Sequence, residues 1–486
     1  MLPGVLPGTE VPGLLRWGLA GGAGLQSGAP PPGAPSPRRI VSPRRTDKIT
    51  LMRTRMWVVA LGLVAAGVGL AAQAQNAPGG PSPKHDAAIA AVRNSDGFKK
   101  AMAVLDRDHD RLIEEIVTLT EIPAPPFKEA ARAKAYLEML RASGLTDVEQ
   151  DEEGNVMGIR KGTGGGPLLA VAAHLDTVFP EGTDVKVKRD GTRLSAPGIG
   201  DDTRSLAVLL AMIRAMDEAG IRTTSDILFI GNVGEEGQGD LRGVKHLFLK
   251  GKYKDRIKMF ISVDGAGGGA DITHGGVGSK RYRVTFKGPG GHSYGAFGIV
   301  SPAFAMSGAM QRFGGLKVPQ TPKTTFTVGV VGGGTSVNSI PFETWMEVDM
   351  RSESRDELNK LDEQFLALVA DAVREENATR STAQGAITAD LKLIGDRPSG
   401  QTPIDSEIVQ VAAASIRATG GRPTFSWSST DSNIPISLGI PAITVDSGGR
   451  GGRAHALDEW ISVDKVPSLR GIEIAMATML TLAGAR

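Results

Sequence analysis

Residues 166–176 read GPLLAVAAHLD, an apolar run that opens after glycines and ends on His174 and Asp176. Its length suits a strand, and its lack of polar alternation suits one buried on both faces of a sheet. Downstream, SLAVLLAMIRAMDEAG (205–220) has the spacing of an amphipathic helix closed by glycine. SDILFIGNV (225–233) and KMFISVDG (258–265) read as further buried strands. Strands alternating with helices predict an α/β domain whose sheet is mostly parallel and flanked by helices. Upstream, helical spacing fills residues 86–143 and stops at Gly144. Near Ser279 the pattern changes: KRYRVTFKG (280–288), TTFTVGVVGG (324–333) and TWMEVDMRS (344–352) read as strands, with helical segments at 302–314 and 355–377. These predict a smaller α+β unit. Alternation of α and β resumes with SEIVQVAAASIRATGG (406–421), IPAITVDSG (440–448) and VPSLRGIEIAMATMLTLAG (466–484). The expected organisation is an α/β domain in two parts, 86–278 and 396–486, around an insertion at 279–395. No internal repeat is found.

Composition narrows the function classes. Lys and Arg number 55 against 53 for Asp and Glu, a net charge of +2 over 486 residues, which excludes a nucleic-acid binder driven by bulk charge. The hydrophobic fraction of 41% is enough for one large or two moderate cores. The absence of cysteine excludes disulfide scaffolds, thiolate metal sites and cysteine nucleophiles. The 64 glycines exceed what an ordinary domain needs.

Part of that excess lies at the N-terminus. Residues 1–51 are rich in Pro, Gly, Leu and Arg without any sustained period, which predicts disorder. At Met52 a different pattern begins: Arg53 and Arg55, an apolar run over 56–72, then Ala72-Gln73-Ala74. A basic start, an apolar middle and a small-x-small end describe a secretory signal peptide over 52–74. An apolar run of about 17 residues is marginal for a membrane anchor, so cleavage and export to the periplasm or beyond are expected. A signal normally stands first, so translation is expected to begin at Met52, with residues 1–51 lying upstream of the true start.

The polar residues that carry chemistry fall at strand ends or in the loops that follow. His174 and Asp176 stand two apart at the end of a strand, so they share a face. Asp201 and Asp202 lie in APGIGDDTRSLAVLL (196–210), where a glycine turn enters a helix. Glu235 and Glu236 follow a strand in FIGNVGEEGQGD (229–240), Asp264 ends one in FISVDGAG (260–267), and His455 sits in the glycine-rich SGGRGGRAHALDEW (447–460). Ligands of open α/β sheets gather outside the C-terminal strand ends, where these residues are expected. Imidazole and carboxylate donors without thiolate suit a paired site for Zn²⁺, with Co²⁺ or Mn²⁺ as alternatives. Two divalent ions against Asp201, Glu236, Asp264 and a bridging hydroxide approach neutrality. That leaves Glu235 as a general base, and Asp176 placed to orient an imidazole. His85, His109, His246 and His274 have no ligand-like surroundings and read as surface or supporting residues, while Asp431 and Asn433 in SSTDSNIP (428–435) read as bordering the pocket.

The ordered series HLDTVFPEG, APGIGDD, GEEGQG, VDG, GPGGHSYGAFG, VNSIP and GRAHALDEW resembles the dinuclear zinc metallopeptidases. That family includes glutamate carboxypeptidase, peptidase T, aminoacylase and succinyl-diaminopimelate desuccinylase. The resemblance covers about residues 100–486, and HLDTVF and APGIGDD are most similar to the glutamate carboxypeptidase and peptidase T branches. It implies two zinc ions held by His174, Asp201, Glu236, Asp264 and His455, with Asp201 bridging and Glu235 as base. It further implies that His292, in GPGGHSYG, reaches the site of a partner subunit and steadies the oxyanion. Asn338 of VNSIP and Arg397 of GDRP would hold a substrate carboxylate, a task suited to the two-pronged guanidinium. The insertion would then serve dimerisation and act as a lid. One departure stands out: where many members carry Lys-Gly after the Asp pair, this chain reads Thr203-Arg204.

The expected activity is hydrolysis of peptide or amide bonds next to a free carboxylate, in di- or tripeptides or at C-terminal residues, by a homodimer free of nucleic acid and, after signal cleavage, of the membrane. N-acyl-amino-acid hydrolysis is the alternative within the enzyme class. A non-catalytic periplasmic peptide-binding protein is the alternative outside it, since a fold alone does not decide activity.

Overall fold

The computed structural model describes residues 80–485, so the expected leader and signal peptide lie outside the described residues. The apolar run forms the strand Leu168–His174, buried along its whole length. It pairs in parallel with Ile227–Asn232 on one side and Ile257–Val263 on the other, and Ala442–Val445 continues the parallel order. Burial on both faces explains the missing alternation. Leu169, Val171 and Ala173 enter one apolar cluster, while Leu168, Ala170 and Ala172 enter another. The first cluster includes residues of helices Arg204–Glu218, Glu407–Ala418 and Lys465–Leu482; the second includes residues of Arg242–Leu249. Antiparallel strands Val156–Arg160 and Thr146–Gln150 extend one edge of the nine-stranded sheet. His174 stands opposite Asn232, and Val445 opposite Val263, so these strands finish along one rim and their loops emerge together.

Helix Arg204–Glu218 exposes little beyond its last turn, because it is wedged between the sheet and the N-terminal helices. It ends before Gly220, whose φ of +69° is the left-handed conformation that closes a helix. The helical spacing over 86–143 resolves into four helices, Pro83–Asn94, Asp96–Arg107, His109–Thr120 and Ala130–Arg141. Among the described residues no helix is long and apolar enough to cross a membrane.

The inserted unit is a four-stranded antiparallel sheet ordered Thr324–Gly333, Glu343–Ser352, Gly278–Lys287, Thr388–Arg397. In Glu343–Ser352 every second residue is buried, the mark of a sheet with one covered face. Helices Pro302–Gly314 and Arg355–Thr379 supply that cover around a separate core that includes Phe286, Phe313, Met346 and Phe365. The chain enters the unit at Gly278 and leaves it at Arg397, on neighbouring strands paired Ser279 to Arg397.

A second small sheet has no counterpart in the sequence expectations. Lys188–Asp190, Arg193–Ser195, Trp460–Ser462 and Arg450–Gly452 form four strands of three residues each. Such strands are too short to display a period. Their effect is large nonetheless, since they bring the loop before Asp201 alongside the loop that carries His455.

Candidate metal centre

His174 is the last residue of its strand and is buried. Its Nδ1 lies 3.1 Å from the backbone oxygen of Asp176. A carbonyl only accepts, so Nδ1 carries the hydrogen and Nε2 faces the carboxylates. Nε2 stands 2.9 Å from Asp201 Oδ1 and 4.0 Å from Asp264 Oδ1. The other oxygen of Asp201 is 3.3 Å from His455 Nε2, which also lies 3.0 Å from Glu236 Oε1. Asp201 therefore sits between two imidazoles, as a bridging ligand must. Ligand atoms of His174, Asp201 and Glu236 fall within 4.8 Å of one another, as do those of His174, Asp202 and Asp264. All five residues expected as ligands meet in this cluster: His174 at the end of its strand, Glu236 and Asp264 on loops past the sheet rim, and Asp201 and His455 on loops beside the small sheet. His455 holds a left-handed backbone, φ +65°, a conformation that costs free energy for a side chain of this kind.

Three further carboxylates organise these loops. Asp176 accepts the backbone N–H groups of Glu235 and Glu236 at 3.0 and 2.9 Å. Asp176, expected to orient the imidazole, meets Nδ1 of His174 through its backbone carbonyl, with its Oδ1 3.7 Å from the same nitrogen, and its carboxylate grips the Glu235–Glu236 loop. Asp202 accepts from the N–H of His174 at 3.0 Å and of Gly265 at 3.1 Å, tying two ligand segments together. Glu459 accepts from Gly198 at 2.8 Å, Gly200 at 2.8 Å and Asp201 at 2.9 Å. The sequence reading assigned Glu459 no role.

Residues 170–480 match the model of peptidase family M20/M25/M40. The chain belongs to this family. Carboxypeptidase G2 of Pseudomonas sp. (strain RS-16) is 31% identical over 134 residues, which make up 26% of this chain. That match spans 32% of the curated relative, about a third of its length. Three solved structures share the fold. Aminopeptidase PepT from Bacillus cereus ATCC 10987 aligns with a TM-score of 0.62 at 20% identity, over 77% of this chain and 99% of its own. The di-peptidase Dug1p from Saccharomyces cerevisiae gives 0.63 at 14% identity, over 80% and 99%. YXEP of Bacillus subtilis, described as a dinuclear metal binding peptidase, gives 0.54 at 18%, over 77% and 99%.

The electrostatics of this M20 chain fit a cation among its donors. Burial pushes the Asp264 carboxyl well above its ordinary range, and the charges of Asp201 and Asp202 add to the effect. Burial likewise pushes Glu235 up to about 8, with Arg397 opposing and Glu236 reinforcing. Burial alone would raise Asp201 too, but hydrogen bonds from His174 and His455 hold it below the usual carboxylate range. Those bonds to Asp201 and Glu236 push His455 up to about 10. Burial pulls His174 down, yet the Asp201 hydrogen bond and the Asp202 charge outweigh it and raise it well above its ordinary value. A divalent cation competes with these protons for the same nitrogen and oxygen atoms, and it relieves the repulsion among the acids.

Of the three residues expected on the substrate side, His292 and Asn338 are not gathered with the candidate ligands, while Arg397 is. His292 and Asn338 lie together on the inserted unit, where His292 pairs with Ser339 and the N–H of Ser293 donates to the Asn338 carbonyl at 2.9 Å. Both side chains are exposed, and the Nδ1 of His292 accepts from its own turn, from Tyr294 and Gly295 at 3.2 Å. Arg397 is buried beside Glu235, with Nη1 3.2 Å from its Oε1. His109 and His274, read as surface or supporting residues, are both buried. A carbonyl only accepts, so His274 Nδ1 donates to that of Thr402 at 2.9 Å, and its ring packs edge-on against Phe425 and Trp427.

Proposed function

We propose that this M20 family member is an exported hydrolase that uses two metal ions to cleave peptide or amide bonds in small carboxylate-bearing substrates. The observation that carries the reading is Asp201 held between His174 and His455, with Glu236 and Asp264 in the same cluster. His174, Asp201, Glu236, Asp264 and His455 would hold the metals, with Zn²⁺ favoured by the imidazole–carboxylate donor set. A bound pair of this kind supplies an activated water and polarises the scissile carbonyl. Glu235 takes the proton from the attacking water and returns it to the leaving amine. Burial that raises the basicity of its carboxylate suits that task. Asp176 fixes the backbone of both glutamates, so base and ligand move together.

His292 and Asn338 contact the substrate once the inserted unit closes over a site, either in the same chain or in a second copy. Around them Tyr294, Phe297, Val337 and Phe342 are exposed by 90%, 89%, 103% and 59%, an apolar surface that supports a homodimer. Export through a signal ending at Ala74 completes the reading; the N-terminal sequence of the mature protein recovered from the cell envelope tests it directly.

Hydrolysis is tested with zinc-loaded protein and a panel of dipeptides, tripeptides and N-acyl amino acids. Turnover of free carboxylates but not of their amides supports the proposal, and preference for peptides or for N-acyl amino acids separates peptidase from acyl-amino-acid hydrolase. Two tightly bound metals without any turnover would instead favour a binding protein on the same fold.

A further inference from the structure

Strand Thr388–Arg397 stands at the edge of the inserted sheet, beside Gly278–Lys287, so alternate residues turn their backbone N–H and C=O away from the sheet. Its register shifts between Leu393 and Gly395. Just past that bulge, both backbone groups of Asp396 are taken by side chains of the α/β domain. Asp240 Oδ1 accepts the N–H of Asp396 at 2.9 Å, and Lys245 Nζ donates to the Asp396 carbonyl at 2.9 Å. The two side chains also pair with each other, Nζ to Oδ2 at 2.5 Å. Together they grip the peptide groups on both sides of Asp396, and the second of these leads into Arg397.

Asp240 and Leu241 hold left-handed backbones, φ +54° and +59°, at a cost that glycine would not incur. Burial in the apolar cluster of helix Arg242–Leu249 offsets that cost for Leu241. For Asp240 the offset is its carboxylate, bonded to Lys245 on one side and to Asp396 on the other. Arg397, which the family resemblance implies as the holder of a substrate carboxylate, is the next residue of the strand. Its Nη1 and Nη2 reach Glu235, and Nη1 also reaches Ser429 Oγ at 3.1 Å. Nε–H and one Nη2–H have no partner among the described residues, and two such hydrogens suit the two-pronged capture of a carboxylate. We propose that Asp240 and Lys245 are positioning residues: they fix the backbone that carries Arg397 and so set the preference for a free carboxylate. The assignment rests on the carboxylate-bearing substrate proposed above. A guanidinium shifted by about 1 Å loses its alignment, and the strand end that bears it is held by this pair.

The test compares zinc-loaded wild-type protein with Asp240→Gly, Asp240→Asn, Lys245→Met and Arg397→Ala. Glycine removes the carboxylate and relieves the backbone, so the first variant deletes the grip without adding strain. Steady-state kinetics are measured on the dipeptide or N-acyl amino acid turned over best and on its C-terminal amide. Calorimetric affinities for the same pair and amide hydrogen exchange around Asp396 in the metal-free proteins are measured alongside. Losing the grip raises KM for the acid by about tenfold in Asp240→Gly and Lys245→Met, with kcat within about threefold of wild type. KM for the amide stays within about twofold, since the amide lacks the charge that Arg397 captures. Exchange of the Asp396 N–H accelerates in Asp240→Gly. Asp240→Asn keeps an oxygen for that N–H and tolerates the left-handed backbone, so it recovers most of the loss. Arg397→Ala abolishes the preference for the acid. An acid KM unchanged in both Asp240→Gly and Lys245→Met overturns the proposal, as does an equal rise for acid and amide. Retention of the acid preference in Arg397→Ala overturns it as well. If the wild type hydrolyses nothing, the hydrolase reading fails, while a tenfold loss of calorimetric affinity confined to the panel acid bound best (about 1.4 kcal/mol) still supports the grip.

Discussion

Glu459 is the residue on which the position of Asp201 depends most. Oε1 takes the N–H groups of Gly200 at 2.8 Å and Asp201 at 2.9 Å, and Oε2 takes that of Gly198 at 2.8 Å. The side chain is buried, so no solvent stands ready to replace it. Substituting Glu459→Ala strands three backbone donors. At roughly 1–3 kcal/mol for each buried unsatisfied group, reduced where water enters the space, the loss comes to about 3–6 kcal/mol. Glu459→Gln retains an oxygen in place of Oε1 and turns its amide nitrogen toward the Gly198 N–H, so one contact fails and the loss is about 1–3 kcal/mol. The same loop presents Asp201 to both histidines, so metal affinity falls as well, by about 10–100-fold in the alanine variant as for other residues that orient metal ligands. Urea unfolding of the metal-free proteins measures the first effect, and competition titration with a chromogenic zinc chelator measures the second. The order wild type, Gln, Ala is expected in both series. An alanine variant with the stability and zinc affinity of the wild type would show that the 198–201 loop holds its shape without Glu459.

Glu235→Gln keeps both metals by elemental analysis and lowers kcat by about 10²–10⁴-fold, the usual worth of a general base; unchanged turnover rules out that assignment. His109 gives a pH signature of its own. Burial, with help from the Arg204 and Lys465 charges, holds it below the ordinary imidazole value, so the folded state binds its proton less readily than the unfolded state. Stability is therefore full above the ordinary value of about 6.5 and declines as pH falls through it toward the lower folded-state value. Thermal melts between pH 7.5 and 5 should show this slope reduced in His109→Phe, and an unaltered slope refutes the attribution. Charge placed on the apolar face of the inserted unit, as Phe297→Glu with Val337→Glu, should yield monomers in sedimentation velocity if a second copy covers it. An unchanged sedimentation coefficient in a dimeric protein would put the interface elsewhere.

The fold was legible where periodicity is long enough to speak. The all-apolar run at 168–174, the helix spacing over 205–220 and the period-two strands of the insertion each state their environment directly. The convergence of His174, Glu236 and Asp264 was legible because a parallel sheet delivers its strand ends to one rim, so polar residues just past apolar runs come together. Partners chosen in three dimensions were not. Nothing local in RAHALDEW marks Glu459 as an acceptor for a loop some 260 residues earlier, because the strands that align the two loops are three residues long. Arg397 ends an exposed-looking alternating strand, yet it is buried where that strand meets the other unit.

Hydrogen-bond partners separate the carboxylates that support this centre from those that serve it. Asp176 accepts two backbone N–H groups, Asp202 two and Glu459 three, so their charge is spread over fixed donors within the chain. Those donors oppose the upward push of burial, which still raises Asp202 well above its ordinary range and Glu459 to about 7. Asp201 and Glu236 direct their side-chain oxygens only at imidazole nitrogens, and the ion-pair partner of Asp264 is His174 at 4.0 Å. Asp202 or Asp264 could be drawn as a ligand on distance alone, since both fall within reach of His174. Burial raises both Asp202 and Asp264 well above the ordinary carboxylate range, so hydrogen bonding rather than desolvation decides between them. Asp202 has its oxygens on the N–H groups of His174 and Gly265, whereas among the described residues Asp264 accepts no backbone donor through its carboxylate, and it carries the repulsion of Asp201 and Asp202. A divalent ion therefore gains more at Asp264 than at Asp202. The two kinds of carboxylate predict opposite outcomes of neutral substitution: Asp264→Asn weakens metal binding with little effect on the metal-free fold, while Asp202→Asn destabilises the fold itself by loosening His174 and Gly265 together.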